Sequence, residues 1–143
     1  MIIYAAGVFD LIHYGHINYL REAKKYGDVL IVGLLTDEGA KEYKFVYPIM
    51  NYQERYKVLM GIKYVNHIVP QEHTDPTSTL ERMWNCHPDM FPKILVRADD
   101  VASPVPGEEF MKSKGNRVAI VSYTSGISDT DIKNRIIDSW GVK

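Results

Sequence analysis

The amino-acid sequence predicts a doubly wound α/β domain around a five-stranded parallel sheet. Short apolar runs alternate along the chain with segments whose apolar residues recur every three or four positions, which is the pattern of strands joined by crossover helices. The run at residues 29–35 has no polar side chain, as expected of a strand buried on both faces. Right-handed crossovers between such strands give a Rossmann-like sheet, whose ligands bind beyond the carboxyl ends of the strands.

Local signals set the limits of each element in chain order. Gly7 is the exit of the first strand, and Gly27 ends the first helix, since glycine is common just beyond a helix. Thr36 is a suitable N-cap for a short second helix, and we expect Pro70 to end the third strand. The predicted strands are residues 2–6, 29–35, 65–69, 93–97 and 118–121, and the predicted helices are about 16–26, 37–41, 52–62, 79–85, 108–114 and 130–140.

Composition narrows the class of protein. The chain of 143 residues is 45% apolar and 24% charged, which is usual for one soluble globular domain, here residues 1–143. The net charge of −1 provides no basic surplus for nucleic acid or anionic lipid. No apolar run is long enough to span a membrane, no signal peptide is evident, and Cys86 has no second cysteine to pair with. We therefore expect a cytoplasmic protein.

Two other kinds of site are disfavoured by spacing. Four potential zinc ligands lack the compact spacing of zinc sites, so surface roles are the better interpretation. A dinucleotide site is unexpected because no G-x-G-x-x-G follows the first strand. The four potential ligands are His67, His73, Cys86 and His87.

Two histidines lie three residues apart where the first strand gives way to the first helix. His13 and His16 flank Gly15 and follow Gly7-Val8-Phe9-Asp10. The start of a helix presents free N–H groups and a partial positive charge, which suit a phosphate. Histidine adds donors for phosphoryl oxygens, and glycine allows the backbone close to a ligand. The alternative is that the pair caps the helix or packs against the sheet.

These motifs resemble those of the cytidylyltransferase-like nucleotidylyltransferases, whose signature is G-x-F-D followed by H-x-G-H. The similarity continues at Tyr52-Gln53-Glu54-Arg55, at Asp99-Asp100 and at Gly126-Ile127-Ser128-Asp129-Thr130. The resemblance implies a Rossmann-like enzyme that joins a nucleoside monophosphate to a phosphorylated small molecule and releases pyrophosphate. It also implies Mg²⁺ bound with the nucleoside triphosphate, and a homodimer.

The resemblance implies roles for particular residues, and for some of them the residue type alone allows a simpler role. Asp10 orients a histidine or is a turn residue, and Arg55 lies near the phosphates or forms a surface salt bridge. Lys44 reaches over the triphosphate or is a solvated surface residue, as we expect of Lys41. Ser128 binds phosphate, caps the last helix, or does both. The implied catalytic residues are His13, His16, Lys44 and Asp10, and the implied nucleotide-binding residues are Gly7, Val8, Phe9, Gly15, Arg55, Asp99, Gly126, Ile127, Ser128 and Thr130.

Three positions depart from the family pattern. Tyr123 replaces the arginine of R-T-x-G-I-S-T-T, and a phenol supplies neither its charge nor its bidentate donors. The candidates to compensate are Arg55, Arg97 and Arg135. Asp129 replaces a threonine beside the expected triphosphate, which weakens binding by like-charge repulsion unless the side chain points away or meets Mg²⁺. Finally, Ala98-Asp99-Asp100-Val101 replaces G-D-D-W, which indicates an altered acceptor end of the pocket.

Substrate identity stays open at this point. The short single-domain form is similar to glycerol-3-phosphate cytidylyltransferases, and other stretches resemble the ethanolamine-phosphate type and cytidylyltransferase domains of phosphonate pathways. CTP with a small phosphate or phosphonate acceptor, of the glycerol-3-phosphate type, is therefore the favoured pair. Heptose-phosphate adenylyltransferases share Gly-Val-Phe-Asp, so ATP-dependent transfer to a sugar phosphate is an alternative. A nucleotide-binding module without turnover is another.

Overall fold

The five strands form one parallel sheet in the order β3-β2-β1-β4-β5, so the predicted α/β fold is confirmed. The computed structural model describes residues 1–101 and 103–141. Its strands are β1 (Ile2–Gly7), β2 (Val29–Leu35), β3 (His67–Gln71), β4 (Ile94–Ala98) and β5 (Arg117–Val121). The α-helices within these residues are α1 (Tyr14–Lys24), α2 (Asp37–Lys44), α3 (Tyr52–Met60), α4 (Thr77–Cys86), α5 (Glu108–Ser113) and α6 (Asp129–Trp140), with a 3₁₀-helix at Pro88–Met90.

The order of the strands reverses at β1, which pairs with β2 on one side and with β4 on the other. β3 extends the sheet beyond β2, and β5 extends it beyond β4. The chain leaving β1 and the chain leaving β4 pass to opposite faces, which leaves a crevice at the carboxyl ends of these strands. The segments after Gly7 and Ala98 border that crevice.

Helices cover both faces of the sheet, because alternate strand residues point to opposite sides. The face covered by α1 and α3 is called the first face, and the face covered by α4 and α5 the second face. Both bury apolar side chains that exclude water from the sheet. The first-face core includes Ile3, Ala5, Leu20, Ala23, Leu59, Ile94 and Val96. The second-face core includes Tyr4, Leu80, Phe91, Leu95 and Met111.

Several predicted boundaries are wrong, and β3 is the clearest case. Pro70 lies inside the strand, paired with Leu34, instead of ending it. β3 is an edge strand, where one side of the backbone has no strand to bond, so a residue without an N–H is tolerated. The second helix also continues past Lys41 to Lys44, and it ends where Phe45 adopts a left-handed φ of 65°.

The first helix begins at Tyr14, two residues before the predicted start. His13 is its N-cap, so the histidines belong to the helix terminus itself. The strand at residues 29–35 and the start of α3 at Tyr52 agree with the prediction. None of the helices in the described residues is long and apolar enough to cross a membrane.

Candidate active site

A cavity of about 310 Å³ opens at the carboxyl edge of the sheet, where the strand order reverses. Its walls come from the segment after β1, the start of α1, the end of α2, the ends of β4 and β5, and the segment that enters α6. Of the residues predicted for the site, those that line it are Gly7, Val8, Phe9, Asp10, His13, Gly15, His16, Lys44, Ile127 and Ser128. The fold therefore brings together most of a set that spans the whole sequence.

The two histidines form the N-terminal cap of α1. Nδ1 of His13 accepts a hydrogen bond from the Gly15 N–H at 3.1 Å, and Nδ1 of His16 accepts one from the His13 N–H at 3.2 Å. Their ring centroids are 3.9 Å apart. Because Nδ1 is the acceptor in each neutral ring, Nε2 carries the proton and is the donor. Capping, one of the two alternatives in the sequence, thus occupies Nδ1 and leaves the Nε2 donor of each ring outside the cap.

Burial keeps both rings neutral. The pKa of His16 is lowered from 6.5 to about 4, mainly by burial and in part by the neighbouring His13. Burial also lowers the pKa of His13, against the opposing effects of Asp129 and Asp131. Nδ1 of His16 accepts a hydrogen bond from the His13 N–H, so protonation of this nitrogen would place two donors against each other. The site therefore holds two neutral imidazoles near pH 7.

Gly15 is required by packing against the protein itself. A Cβ at this position would lie 2.9 Å from Cε1 of His13 and 3.2 Å from Cγ2 of Ile127. The segment before α6 is also held against α1 by a bond from Asn18 Nδ2 to Thr124 Oγ1 at 3.2 Å. Close approach at Gly15 therefore joins the histidine cap to the start of α6.

Asp10 anchors a loop instead of orienting a histidine. Its carboxylate accepts from the N–H groups of Ile49 and Met50 at 2.8 and 2.9 Å, and Lys133 Nζ lies 3.6 Å away. The side chain is 2% exposed, so its charge is stabilised by these donors. It shapes the cavity by fixing the chain between α2 and α3.

The position of Arg55 differs from both predictions made for it. The side chain is fully buried, so it neither reaches a phosphate nor forms a surface salt bridge. Its guanidinium donates to the Asp37 carboxylate at 2.7 Å and to three backbone carbonyls. These carbonyls belong to Val8, Leu35 and Met50, at 2.7–3.0 Å. Arg55 therefore ties together the exits of β1 and β2, since a guanidinium can satisfy several acceptors in one plane.

Lys44 meets Asp129 inside the cavity. Lys44 Nζ lies 3.1 Å from Asp129 Oδ2, and Lys133 Nζ lies 3.7 Å from the same atom. Burial raises the pKa of Asp129, but the Lys44 hydrogen bond and the two lysine charges outweigh it and lower the pKa overall. Asp129 therefore does not point away from the expected triphosphate. Lys41 lies elsewhere, 4.3 Å above the ring of Tyr47.

Ser128 is the N-cap of α6, and its hydroxyl accepts from the Asp131 N–H at 3.0 Å. Ile127, Ser128 and Asp129 line the cavity. Three of the predicted nucleotide-binding residues lie beside it instead: Asp99, Gly126 and Thr130, all exposed. Asp99 accepts from the Tyr123 N–H at 2.9 Å and so supports the exit of β5.

Three residues of the cavity wall had no individual role among the predictions, although Asp100 belongs to the segment expected at the acceptor end of the pocket. Thr74, Asp100 and Ser122 line the wall, and each follows the carboxyl end of a strand. The rule that ligands bind beyond such ends was the available signal. Lys133 carried no signal beyond its i,i+4 spacing from Asp129, which becomes meaningful once Asp129 is known to face the cavity.

Three arginines were considered as replacements for the arginine that Tyr123 displaces. Arg97 lines the cavity, Arg55 is buried elsewhere and Arg135 is exposed on α6.

Comparisons with known proteins identify the family of this chain. Residues 4–137 match the family model described as Cytidylyltransferase-like. The chain is 32% identical over 142 residues to the bifunctional protein HldE of Geobacter metallireducens, covering 98% of this chain and 28% of that protein. It is 33% identical over 138 residues to the ethanolamine-phosphate cytidylyltransferase of Mus musculus, covering 94% of this chain and 32% of that protein.

A solved structure shares the fold. The lipopolysaccharide core biosynthesis protein from Thermoplasma volcanium GSS1 superposes with a TM-score of 0.69 at 26% identity, over 89% of this chain and 98% of that one. The chain spans about a third or less of the length of the curated relatives named above. The family match covers nearly all of it, and the prediction of a nucleotidylyltransferase is confirmed at the level of the family. The chain belongs to the cytidylyltransferase-like family.

Proposed function

We propose that this chain transfers a cytidylyl group from CTP to a small acceptor that bears a phosphate or phosphonate, and releases pyrophosphate. The observation that carries the proposal is the pair of neutral histidines at the start of α1, each with Nδ1 engaged by a backbone N–H. Their Nε2–H groups are fixed donors for the α-phosphate oxygens, on which charge develops as the acceptor attacks. Donors fixed beforehand stabilise such charge without reorganising during the reaction.

The triphosphate tail fits the end of the cavity formed by α6. Ser128 lies at this end, and the first N–H groups of α6 carry the partial positive charge of the helix terminus. Lys44 and Lys133 are the nearby cations. When the nucleotide binds, these two lysines would leave Asp129 and contact the β and γ phosphates. Their charges would then neutralise the departing pyrophosphate.

We expect Mg²⁺ to enter with the nucleotide. Mg²⁺ needs one or two carboxylates and substrate phosphates, not a complete protein cage. Asp129 and Asp100 line the cavity and are the carboxylates that would hold it. No cluster of three or more potential metal ligands occurs in the described residues, which fits a cation held mainly by the triphosphate. The bound cation would neutralise phosphate charge.

The test is pyrophosphate release with Mg²⁺, comparing CTP and ATP against glycerol-3-phosphate, phosphoethanolamine, phosphocholine, heptose-1-phosphate and hydroxyethylphosphonate. We expect release to require CTP and one acceptor, with glycerol-3-phosphate favoured. Removing a fixed donor lowers such rates by about 10²–10³-fold, so His16→Ala should lose turnover by that factor. His67→Ala, at an exposed histidine of β3, is the matched control and should retain it.

Other results point to the alternatives. Release that requires ATP and a sugar phosphate would identify adenylyl transfer. Nucleotide binding without release on the whole panel would contradict the proposed enzyme and favour a nucleotide-binding module.

We also propose a homodimer, to be tested by light scattering. Its contact could use the exposed apolar residues Ile136, Ile137 and Trp140 of α6.

A further inference from the structure

Arg97 is a charged residue at the end of the otherwise apolar strand β4. It follows Leu95 by two positions, so its side chain leaves the sheet on the second face. It reaches the wall of the cavity at the carboxyl edge of the sheet. The histidine cap and the N-terminus of α6 lie on the side of the first face, because α1 packs there and the segment before α6 contacts α1. Arg97 and Ser128 thus approach the cavity from opposite sides of the sheet.

The guanidinium of Arg97 has an unused donor. Its Nη1 is buried and has no hydrogen-bond partner within residues 1–101 and 103–141. Lys44, the other cation of the cavity wall, is already paired with Asp129 at 3.1 Å. A buried donor without an acceptor destabilises a fold. Since Arg97 also lines the cavity, an anion that reaches the guanidinium would supply the acceptor that Nη1 lacks.

The direction of the reaction identifies that anion. In phosphoryl-type transfer, the attacking and leaving oxygens lie on opposite sides of the phosphorus. If pyrophosphate departs toward α6 on the first-face side, the acceptor enters from the second-face side. Arg97 is the cation on that side, and its planar fork matches a phosphate or phosphonate.

We propose that Arg97 binds the anionic phosphate or phosphonate group of the acceptor, a role that rests on the proposed function. Two oxygens of that group accept from the guanidinium, and the third attacks the α-phosphorus. The new bond joins this oxygen to the α-phosphorus, while the bond from the α-phosphorus to the bridging oxygen of pyrophosphate breaks. The electron pair leaves with pyrophosphate, and no proton is gained or lost.

The test compares Arg97→Met and Arg97→Lys with the wild type in steady-state kinetics. Hydrogen bonds to a charged group contribute about 1.5–3 kcal/mol each, so Arg97→Met should raise the acceptor KM by at least about 10-fold. The nucleotide KM should change by less than about 3-fold, because the two ligands use different groups. The acceptor KM of Arg97→Lys should lie between those of the wild type and Arg97→Met, since lysine keeps the charge but loses the planar pair of donors. Arg135→Met, at the exposed arginine of α6, is the matched control.

Two further measurements separate this role from a structural one. Thermal unfolding of Arg97→Met should occur at the wild-type temperature or above, because the unpartnered donor is removed. Calorimetry with glycerol-3-phosphate and hydroxyethylphosphonate, in the absence of nucleotide, should show weaker binding in Arg97→Met than in the wild type. A raised nucleotide KM with an unchanged acceptor KM would overturn the proposal, as would equal calorimetric binding by the two proteins. The wild-type substrate panel tests the enzyme itself, so failure there is distinguishable from failure of the role of Arg97.

Discussion

The protonation of His16 is coupled to folding in the acidic range of pH. Burial holds its pKa at about 4, against 6.5 for an unperturbed histidine. Between these values the unfolded chain binds more protons than the folded chain, so stability rises with pH through this window and falls as the solution is acidified. We expect the free energy of unfolding to fall by about 2–3 kcal/mol through this group between about pH 7 and pH 4.

Urea unfolding at these two pH values checks the prediction. His16→Asn is the comparison, because an amide oxygen can still accept from the His13 N–H but does not titrate in this range. The variant should lose less stability on acidification than the wild type. Equal losses would show that other groups, such as His13, account for the pH dependence.

Arg55 shows how a motif residue can be structural. Arg55→Met would remove the donors to the carbonyls of Val8, Leu35 and Met50 and leave Asp37 without its cation. Asp37 is 37% exposed, so most of the cost comes from the carbonyls that lose their donor, at about 1–3 kcal/mol each, and urea unfolding should show a large loss of stability.

The exposed arginine of α6 provides the control for this prediction. Arg135→Met should change the free energy of unfolding by less than about 0.5 kcal/mol, as is usual for surface positions. If Arg55→Met kept its stability and instead raised the nucleotide KM, the phosphate-binding role first expected for Arg55 would be restored.

At the scale of elements, one ion pair joins the last residue of α2 to the first residue of α6. The pair is Lys44 with Asp129. A triphosphate at the start of α6 competes with Asp129 for Lys44 and Lys133 and is repelled by its charge. Asp129→Asn should therefore tighten CTP binding by about 5–20-fold, measured by calorimetry without divalent cation.

Asp131 offers a matched substitution in the same turn of α6. It is exposed, so water screens its charge and Asp131→Asn should have a smaller effect. Weaker CTP binding by Asp129→Asn would contradict the competition and show that Asp129 holds Lys44 in a useful position.

Across the whole molecule, Gly33 allows β1 and β3 to interact over the strand between them. Tyr4 of β1 donates to Oε1 of Gln71 in β3 at 2.6 Å. A Cβ at Gly33 of β2 would lie 2.6 Å from that same oxygen and would overlap the Tyr4 hydroxyl. Gln71 Nε2 in turn donates to the carbonyl of Thr74, a cavity residue, at 3.3 Å. The sheet and the cavity wall thus share one buried network.

Gly33→Ala should lower the free energy of unfolding by about 1–3 kcal/mol, because the added methyl overpacks a rigid region. Chemical denaturation of this variant, of Tyr4→Phe and of the double variant completes a double-mutant cycle. The hydroxyl is absent in Tyr4→Phe, so the double variant should lose less stability than the two single variants together. Additive losses would mean that the methyl does not meet the hydroxyl.

Local patterns predicted the elements better than their ends. The buried strand at residues 29–35 and the start of α3 at Tyr52 were recognisable from neighbouring residues alone. Pro70 could not be placed correctly, because the tolerance for proline depends on β3 being an edge strand. The start of α1 was missed because histidine is an unusual N-cap, which is recognised only from its bond to Gly15.

The sequence by itself determined the α/β fold, the family and the position of the histidine pair, because apolar periodicity and contiguous motifs are local properties. Tertiary structure decided which candidates face the cavity. It assigned Arg55 to the interior and placed Asp129 beside Lys44 and Lys133. It also left a buried donor of Arg97 without a partner in the described residues. Burial and pairing between residues distant in sequence depend on how the strands are ordered, and no local pattern contains that order.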